Sequence, residues 1–139
     1  MKRTKVVIFI AMLLCVIIGA IFLQNKPQTK LKENQIKINN VILTVTSKEE
    51  DFDQYKGNHD ISFYNNKNSV DIEIKDNNIE TYNNIKIGDS IDKLDFCDKS
   101  VGMIYYFESQ YRSQGYHLEI QYGTDSENII TITYHFYKQ

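Results

Sequence analysis

Apolar residues are laid out along this chain in two ways. Val6 to Leu23, VVIFIAMLLCVIIGAIFL, is a continuous apolar run with no charge, no proline and one glycine. From Ile36 onward they recur instead at every second position, the period of a half-buried strand. Val41, Leu43 and Val45 alternate with Ile42, Thr44 and Thr46. Val70, Ile72 and Ile74 alternate with Asp71, Glu73 and Lys75. Tyr116, Leu118, Ile120 and Tyr122 alternate with His117, Glu119 and Gln121. Ile130, Ile132, Tyr134 and Phe136 alternate with Thr131, Thr133 and His135.

The segments between these runs carry turn chemistry. Asn65-Asn66-Lys67-Asn68 separates predicted strands Ile61 to Tyr64 and Ser69 to Lys75, and Asp76-Asn77-Asn78 follows. Ser47-Lys48-Glu49-Glu50 matches a capping box and predicts a short helix to about Tyr55, with Phe52 and Tyr55 on one side. Asp89 or Ser90 is placed to cap a second short helix over Ile91 to Phe96, with Asp92 near its positive end. Gly102 to Glu108, GMIYYFE, is apolar on both faces and reads as a central strand. With Gly115–Tyr122 and Asn128–Tyr137 it forms an antiparallel meander. The fold class expected is α+β: an N-terminal transmembrane helix, then a small antiparallel sheet with one or two short helices packed on one face.

The run at 6–23 is long enough, on the order of 27 Å as a helix, to cross a bilayer's hydrocarbon core. Lys2, Arg3 and Lys5 precede it, so the positive-inside rule keeps residues 1–5 in the cytoplasm and sends the C-terminal part across. A signal-anchor is the preferred reading. A cleaved signal peptide, cut after Ala20, has Ile18 where a small residue is wanted, and Ile21-Phe22-Leu23 continue the apolar run. A lipoprotein signal using Cys15 has Leu14 where a small residue is wanted. Residues 24–35, with the single proline Pro27, read as a polar stalk reaching roughly 40 Å if extended. Residues 36–139 form the extracytoplasmic domain.

The formal net charge is −2, and every acidic residue lies after the anchor. Removing the three leading cations from 16 leaves 13 against 18 acids, so the exported part carries −5. That argues against a polybasic membrane-surface patch and against nucleic acid as a ligand. Of the two cysteines, Cys15 lies in the apolar run, so the domain has the single thiol Cys97 and no internal disulfide. Cys97 reads as a small buried hydrophobe, with cross-linking to a partner as the alternative.

No residue constellation amounts to an active site. His117 and His135 share parity on adjacent strands with Glu119 nearby, but zinc wants three or four ligands at about 2.0 Å and no further ligand offers itself. They read as solvated polar-face residues, as does His59 beside Asp60. Cys97 has no base placed beside it, and Asp95 and Asp98 would raise its pKa. Gly88-Asp89-Ser90 is a turn without phosphate-loop spacing. The oxygen-rich Asp76-Asn77-Asn78 and Asp125-Ser126-Glu127 read as turns without calcium-loop spacing. No catalytic, cofactor or metal residue is assigned. Tyrosines crowd the last third: Tyr116, Tyr122 and Tyr134 share parity with core aliphatics, whereas Tyr111, Arg112 and Tyr137 stand as candidate partner contacts.

Two stretches share a plan. Thr44 to Phe52 aligns without gaps onto Lys86 to Leu94, and each precedes strands with a polar turn between them, the pattern of a degenerate tandem repeat. The stretch Ile79 to Leu94, IETYNNIKIGDSIDKL, resembles a phrase of small exported bacterial proteins, TY-x-x-IKIGDS-x-x-K, that opens a short helix ahead of a β-meander. It is similar to the β-lactamase-inhibitor-protein-like fold, shared by the small lipoproteins of outer-membrane protein assembly. Here Asp95 to Asp98 cut the helix short and its usual terminal glycine is missing. The resemblance implies binding of another protein through the sheet or loops, without catalysis. The function expected is a non-catalytic, membrane-tethered protein-binding domain. The alternative is an accessory subunit of a membrane complex that makes its contact through the transmembrane helix.

Overall fold

The computed structural model describes residues 10–12, 16, 29–53, 55 and 57–139. Nine strands account for about half of the described residues: β1 (Gln35–Ile38), β2 (Val41–Thr44), β3 (Ile61–Asn65), β4 (Ser69–Ile74), β5 (Ile79–Glu80), β6 (Lys99–Val101), β7 (Ile104–Ser113), β8 (Tyr116–Thr124) and β9 (Ile129–Lys138). They form two antiparallel sheets, one of three strands in the order β2-β1-β5 and one of six in the order β3-β4-β9-β8-β7-β6.

This corrects the α+β expectation. The predicted domain helices are single 3₁₀ turns, Glu49–Asp51 and Ile91–Leu94, with a third at Tyr82–Asn84. The Ser47 capping box does not form. Lys48 is the cap residue, without a side-chain cap bond, and Thr46 Oγ1 accepts from the Lys48 amide at 3.2 Å. Ser90 does cap its turn, accepting from the Asp92 amide at 3.2 Å, but that turn ends at Leu94. Residues 10–12 and 16 are helical, yet no helix among the described residues is long and apolar enough to cross a membrane. The rest of the proposed anchor at 6–23 lies outside the described residues. Of the 24–35 stretch read as a stalk, Leu31 is 1% exposed and belongs to the packed domain.

The two sheets enclose one core. Val70, Ile72 and Ile74 of β4, Leu118, Ile120 and Tyr122 of β8, and Ile132, Tyr134 and Phe136 of β9 present one face of the large sheet. Ile36 and Ile38 of β1, Val45, Phe52, Ile79, Ile85 and Leu94 cover it. Each such aliphatic or aromatic side chain contributes about 1.5–3 kcal/mol when fully buried. The repeat survives only at the turns. Glu49–Asp51 and Ile91–Leu94 occupy aligned positions and each places a hydrophobe, Phe52 or Leu94, in the core, but β1 and β2 form a separate sheet and β6 has no counterpart.

Three further details differ from the alternation. Asn39 and Asn40, both at positive φ (47° and 68°), make the two-residue turn that pairs β1 with β2. The predicted central strand at 102–108 begins only at Ile104, and β7 is the last long strand of its sheet; Gly102 is the turn residue (φ 60°) joining it to β6. Finally, β9 carries a bulge against Gly123 and Thr124. Ile129 and not Ile130 is buried, and Ile130 is left 48% exposed.

Candidate functional site

Because one face of the six-stranded sheet is taken up by the core, the period of two sends the intervening residues to the other face. Register then lines them up in rows. Arg112 on β7 lies opposite His117 on β8, which lies opposite Tyr137 on β9. The next row runs Glu108, Glu119, His135, Asp71 and Tyr64 across β7, β8, β9, β4 and β3. Among the described residues, no element is packed over this face.

The rows are cross-linked. The His117 ring stacks on Tyr137 with centroids 5.0 Å apart, and His135 stacks on Tyr137 at 5.8 Å. His135 Nδ1 lies 2.7 Å from Asp71 Oδ1. Glu119 is only 8% exposed, and its Oε1 accepts from the Tyr137 hydroxyl at 3.2 Å and from Gln121 Nε2 at 2.9 Å. Burial, then the Glu119 charge and bond, push the Tyr137 phenol up to about 12, which keeps it a donor. Arg112 Nη2 lies 3.3 Å from Glu108 Oε1, relieving the like-charge pairing of Glu108 opposite Glu119. Lys99 sits 4.8 Å above the Tyr106 ring on the same face.

The three candidate contacts are thus split. Arg112 and Tyr137 flank His117 on the open face. Tyr111, in β7 and not in a loop, faces the other way and packs edge-on to Phe136 at 6.4 Å. It keeps the parity of Tyr105 and Phe107, which also pack against the core. β7 is nevertheless irregular here: five of its residues, Glu108 to Arg112, stand against three of β8, Glu119 to His117, and this bulge of two extra residues leaves parity unchanged. The bulge is held by Glu33, whose Oε2 accepts from the Ser109 hydroxyl at 2.6 Å and from the Tyr111 amide at 3.1 Å. Nothing in the polar 24–35 composition marked Glu33 for this role.

The chemistry-bearing residues are dispersed. No three His, Cys, Asp or Glu side chains among the described residues are grouped to hold a metal ion. His59 is not a solvated loop residue: its Nδ1 lies 2.6 Å from Asp76 Oδ2, with both side chains largely buried. Cys97 is half-buried, and burial followed by the Asp98 charge pushes its thiol up to about 12. Asp76 and Asp125 close turns: Asp76 Oδ1 accepts from the Asn78 amide, and Asp125 Oδ1 accepts from the Glu127 and Asn128 amides, at 2.7–2.8 Å. The IKIGDS phrase pins the sheet. The Gly88 amide donates to Ile129 O and the Ile129 amide to Asp89 O, both at 2.8 Å, and Asp89 Oδ2 accepts from the Lys86 amide.

No family model, curated protein or solved structure matches this chain.

Proposed function

We propose that this chain is a non-catalytic, membrane-tethered domain that binds another protein through the open face of its six-stranded sheet. The observation that carries the reading is the row of Arg112, His117 and Tyr137. Here a guanidinium, an imidazole and a phenol stand side by side, with Glu119 in the next row accepting from the Tyr137 hydroxyl and no element among the described residues over them. Pre-ordered aromatic and arginine side chains bring contact area at low entropic cost, the property of interface anchors. The resemblance of Ile79 to Leu94 to sheet-binding exported proteins supports the same class. A location outside the cytoplasm, with the N-terminus inside, rests on the apolar run 6–23 and the cations before it.

The test uses the full-length protein in its native membrane, with a photo-cross-linker replacing His117 or, as a control, Asn58. The reading expects one discrete adduct from position 117, lost in Arg112→Ala with Tyr137→Ala, and none from position 58. Absence of an adduct, or equal adducts from both positions, would overturn it. An adduct that disappears when 6–23 is replaced by polyleucine favours instead an accessory subunit that binds through the membrane segment. Protease added to intact cells should remove the 36–139 domain.

A further inference from the structure

The two sheets end at edges of opposite character. Along β7, beyond its pairing with β6, the Glu108 and Tyr111 amides are taken by Asp98 Oδ2 at 2.6 Å and Glu33 Oε2 at 3.1 Å. The outer edge of the small sheet, β2, has no such guard. Among the described residues its one strand neighbour is β1. The Val45 amide bonds Asn34 O on the β1 side at 2.7 Å. Alternation therefore turns the N–H and C=O groups of Val41 and Leu43 toward β1, and those of Ile42 and Thr44 outward. No hydrogen bond among the described residues reaches these outward groups.

Edge strands are ordinarily blunted by lysine, proline, a bulge or a charge. β2 reads Val-Ile-Leu-Thr, pairs with β1 without a register shift, and lies in a stretch, Ile38 to Ser47, that carries no charge. Its side chains are also short of cover. Val41 lies opposite Ile38 and Leu43 opposite Ile36, so both face the core side. Val41 is nevertheless 49% exposed, since no strand lies beyond it, and Ile42 on the other side is 39% exposed. What fits this edge is an uncharged strand of the same alternation, and β2 is its own complement. Turned about a two-fold axis at Leu43, Ile42 falls opposite Thr44 of a second copy and Thr44 opposite its Ile42. These are the residues whose backbone groups point outward, so each pair exchanges both its bonds. The charge balance selects the same contact. Each acidic domain repels another copy, and the β2 edge brings no carboxylates together.

We propose that β2 is a self-association edge, where two copies of this chain pair β2 against β2 in antiparallel fashion about Leu43. The contact is isologous, as a two-fold dimer requires. It joins the two small sheets into one and sets Val41 and Leu43 of both copies side by side on the core face. No segment has to move and no existing bond is broken. A four-residue edge is a small interface, and confinement of both copies to one membrane supplies the effective concentration it needs. To that extent the inference rests on the reading of 6–23 as an anchor. It makes no use of the open face of the large sheet.

The test is disulfide cross-linking of the full-length chain in its native membrane, with Cys15→Ala and Cys97→Ala as background and copper–phenanthroline as oxidant. Across the axis, position 43 meets its counterpart with Cα atoms about 4.5 Å apart, within disulfide reach. Position 41 lies about 14 Å from its counterpart, out of reach, although Val41 is the more exposed side chain. Leu43→Cys should therefore form a covalent dimer at least about tenfold faster than Val41→Cys. Adding Ile42→Lys, which sets a cation in each strand pair, should slow the Leu43→Cys reaction about tenfold. Val101→Lys, the same change on β6, should leave it unaltered. If Leu43→Cys perturbs the fold, a mixture of Ile42→Cys and Thr44→Cys chains should cross-link faster than either alone. Equal rates at 41 and 43, no adduct at 43, or indifference to Ile42→Lys would each overturn the proposal. So would an adduct of position 43 with a different protein, which would give the edge to a foreign strand. Carbonate extraction of the same membranes reads the anchor by itself: no cross-link from a chain that stays membrane-bound removes the edge pairing and leaves the anchor standing.

Discussion

Gly123 is where the register of β8 against β9 is set, and the geometry permits a quantitative test. A Cβ built on Gly123 falls 2.2 Å from Thr131 Oγ1, whereas real Cβ atoms essentially never come under 3.0 Å. The overlap is therefore at least 3.0 − 2.2 = 0.8 Å. Thr131 sits directly opposite on β9, beside the bulge, and its β-branched side chain must rotate out of its preferred well to make room. Overpacking of this kind costs about 1–3 kcal/mol. Replacing glycine also narrows the unfolded ensemble, which returns about 0.4–1 kcal/mol. Gly123→Ala should thus destabilise by about 1–2 kcal/mol. Thr131→Ala removes the Oγ1 contact and leaves the nearest atoms at 3.6 and 4.0 Å, ordinary separations. In that background Gly123→Ala should become stabilising by about 0.5 kcal/mol, a coupling of about 1.5–2.5 kcal/mol between the two sites. Urea unfolding of the four proteins, followed by near-ultraviolet circular dichroism of the tyrosines, measures the cycle. If Gly123→Ala costs the same with threonine or alanine at 131, the steric account of this register is wrong.

Three further outcomes follow from buried or paired groups. Burial pushes the Asp76 carboxyl up, but the Asn78 and His59 hydrogen bonds outweigh it, so the group titrates below its ordinary 3.8. Its contribution is full above that value and is lost as pH falls through the lower folded value. Asp76→Asn should therefore flatten the fall in melting temperature below about pH 4, and an unchanged acid limb would count against the pairing. Among the described residues the Tyr122 hydroxyl is buried without a hydrogen-bond partner, while the nearby Thr81 hydroxyl donates to Ile85 O. Tyr122→Phe should raise stability by about 1 kcal/mol in urea unfolding, where a loss would reveal a bond the geometry does not contain. With its thiol near 12 against an ordinary 9.0, Cys97 should react with iodoacetamide at pH 8 about three decades more slowly than a free cysteine, and at the ordinary rate in urea. An ordinary rate in the folded protein would place the thiol in solvent.

The alternating runs were reliable over stretches in which the strand itself carries no extra residue. Val70, Ile72 and Ile74, and Leu118, Ile120 and Tyr122, point inward as their parity requires. Parity failed at Ile130 because the bulge opposite Gly123 and Thr124 inserts one residue, and a single insertion turns every earlier residue of the strand to the other face. The helix expectations failed for a different reason. Ser-x-x-Glu can signal a cap but supplies no helical length, and the segments after the two cap signals contain too few apolar positions to hold more than one 3₁₀ turn against the sheet. Of the candidate contacts, Tyr137 was legible from its parity opposite to Tyr134. Tyr111 and Arg112 lie in β7, where Tyr111 shares the inward parity of Tyr105 and Phe107 and Arg112 points to the open face.

By itself the sequence determined the inward-facing residues of β4 and β8, the hairpins at Asn65 to Asn68 and Gly123 to Asn128, and the acidic balance after residue 23, since these depend on local period, turn chemistry and counting. Only the tertiary structure decided which rows form across strands, because register is a relation between segments tens of residues apart. The same holds for the polar contact that holds the β7 bulge. Glu33 in a polar stretch and Ser109 in an aromatic strand carry no mark of each other, and their 2.6 Å bond exists because the fold brings the start of the domain to the free edge of β7.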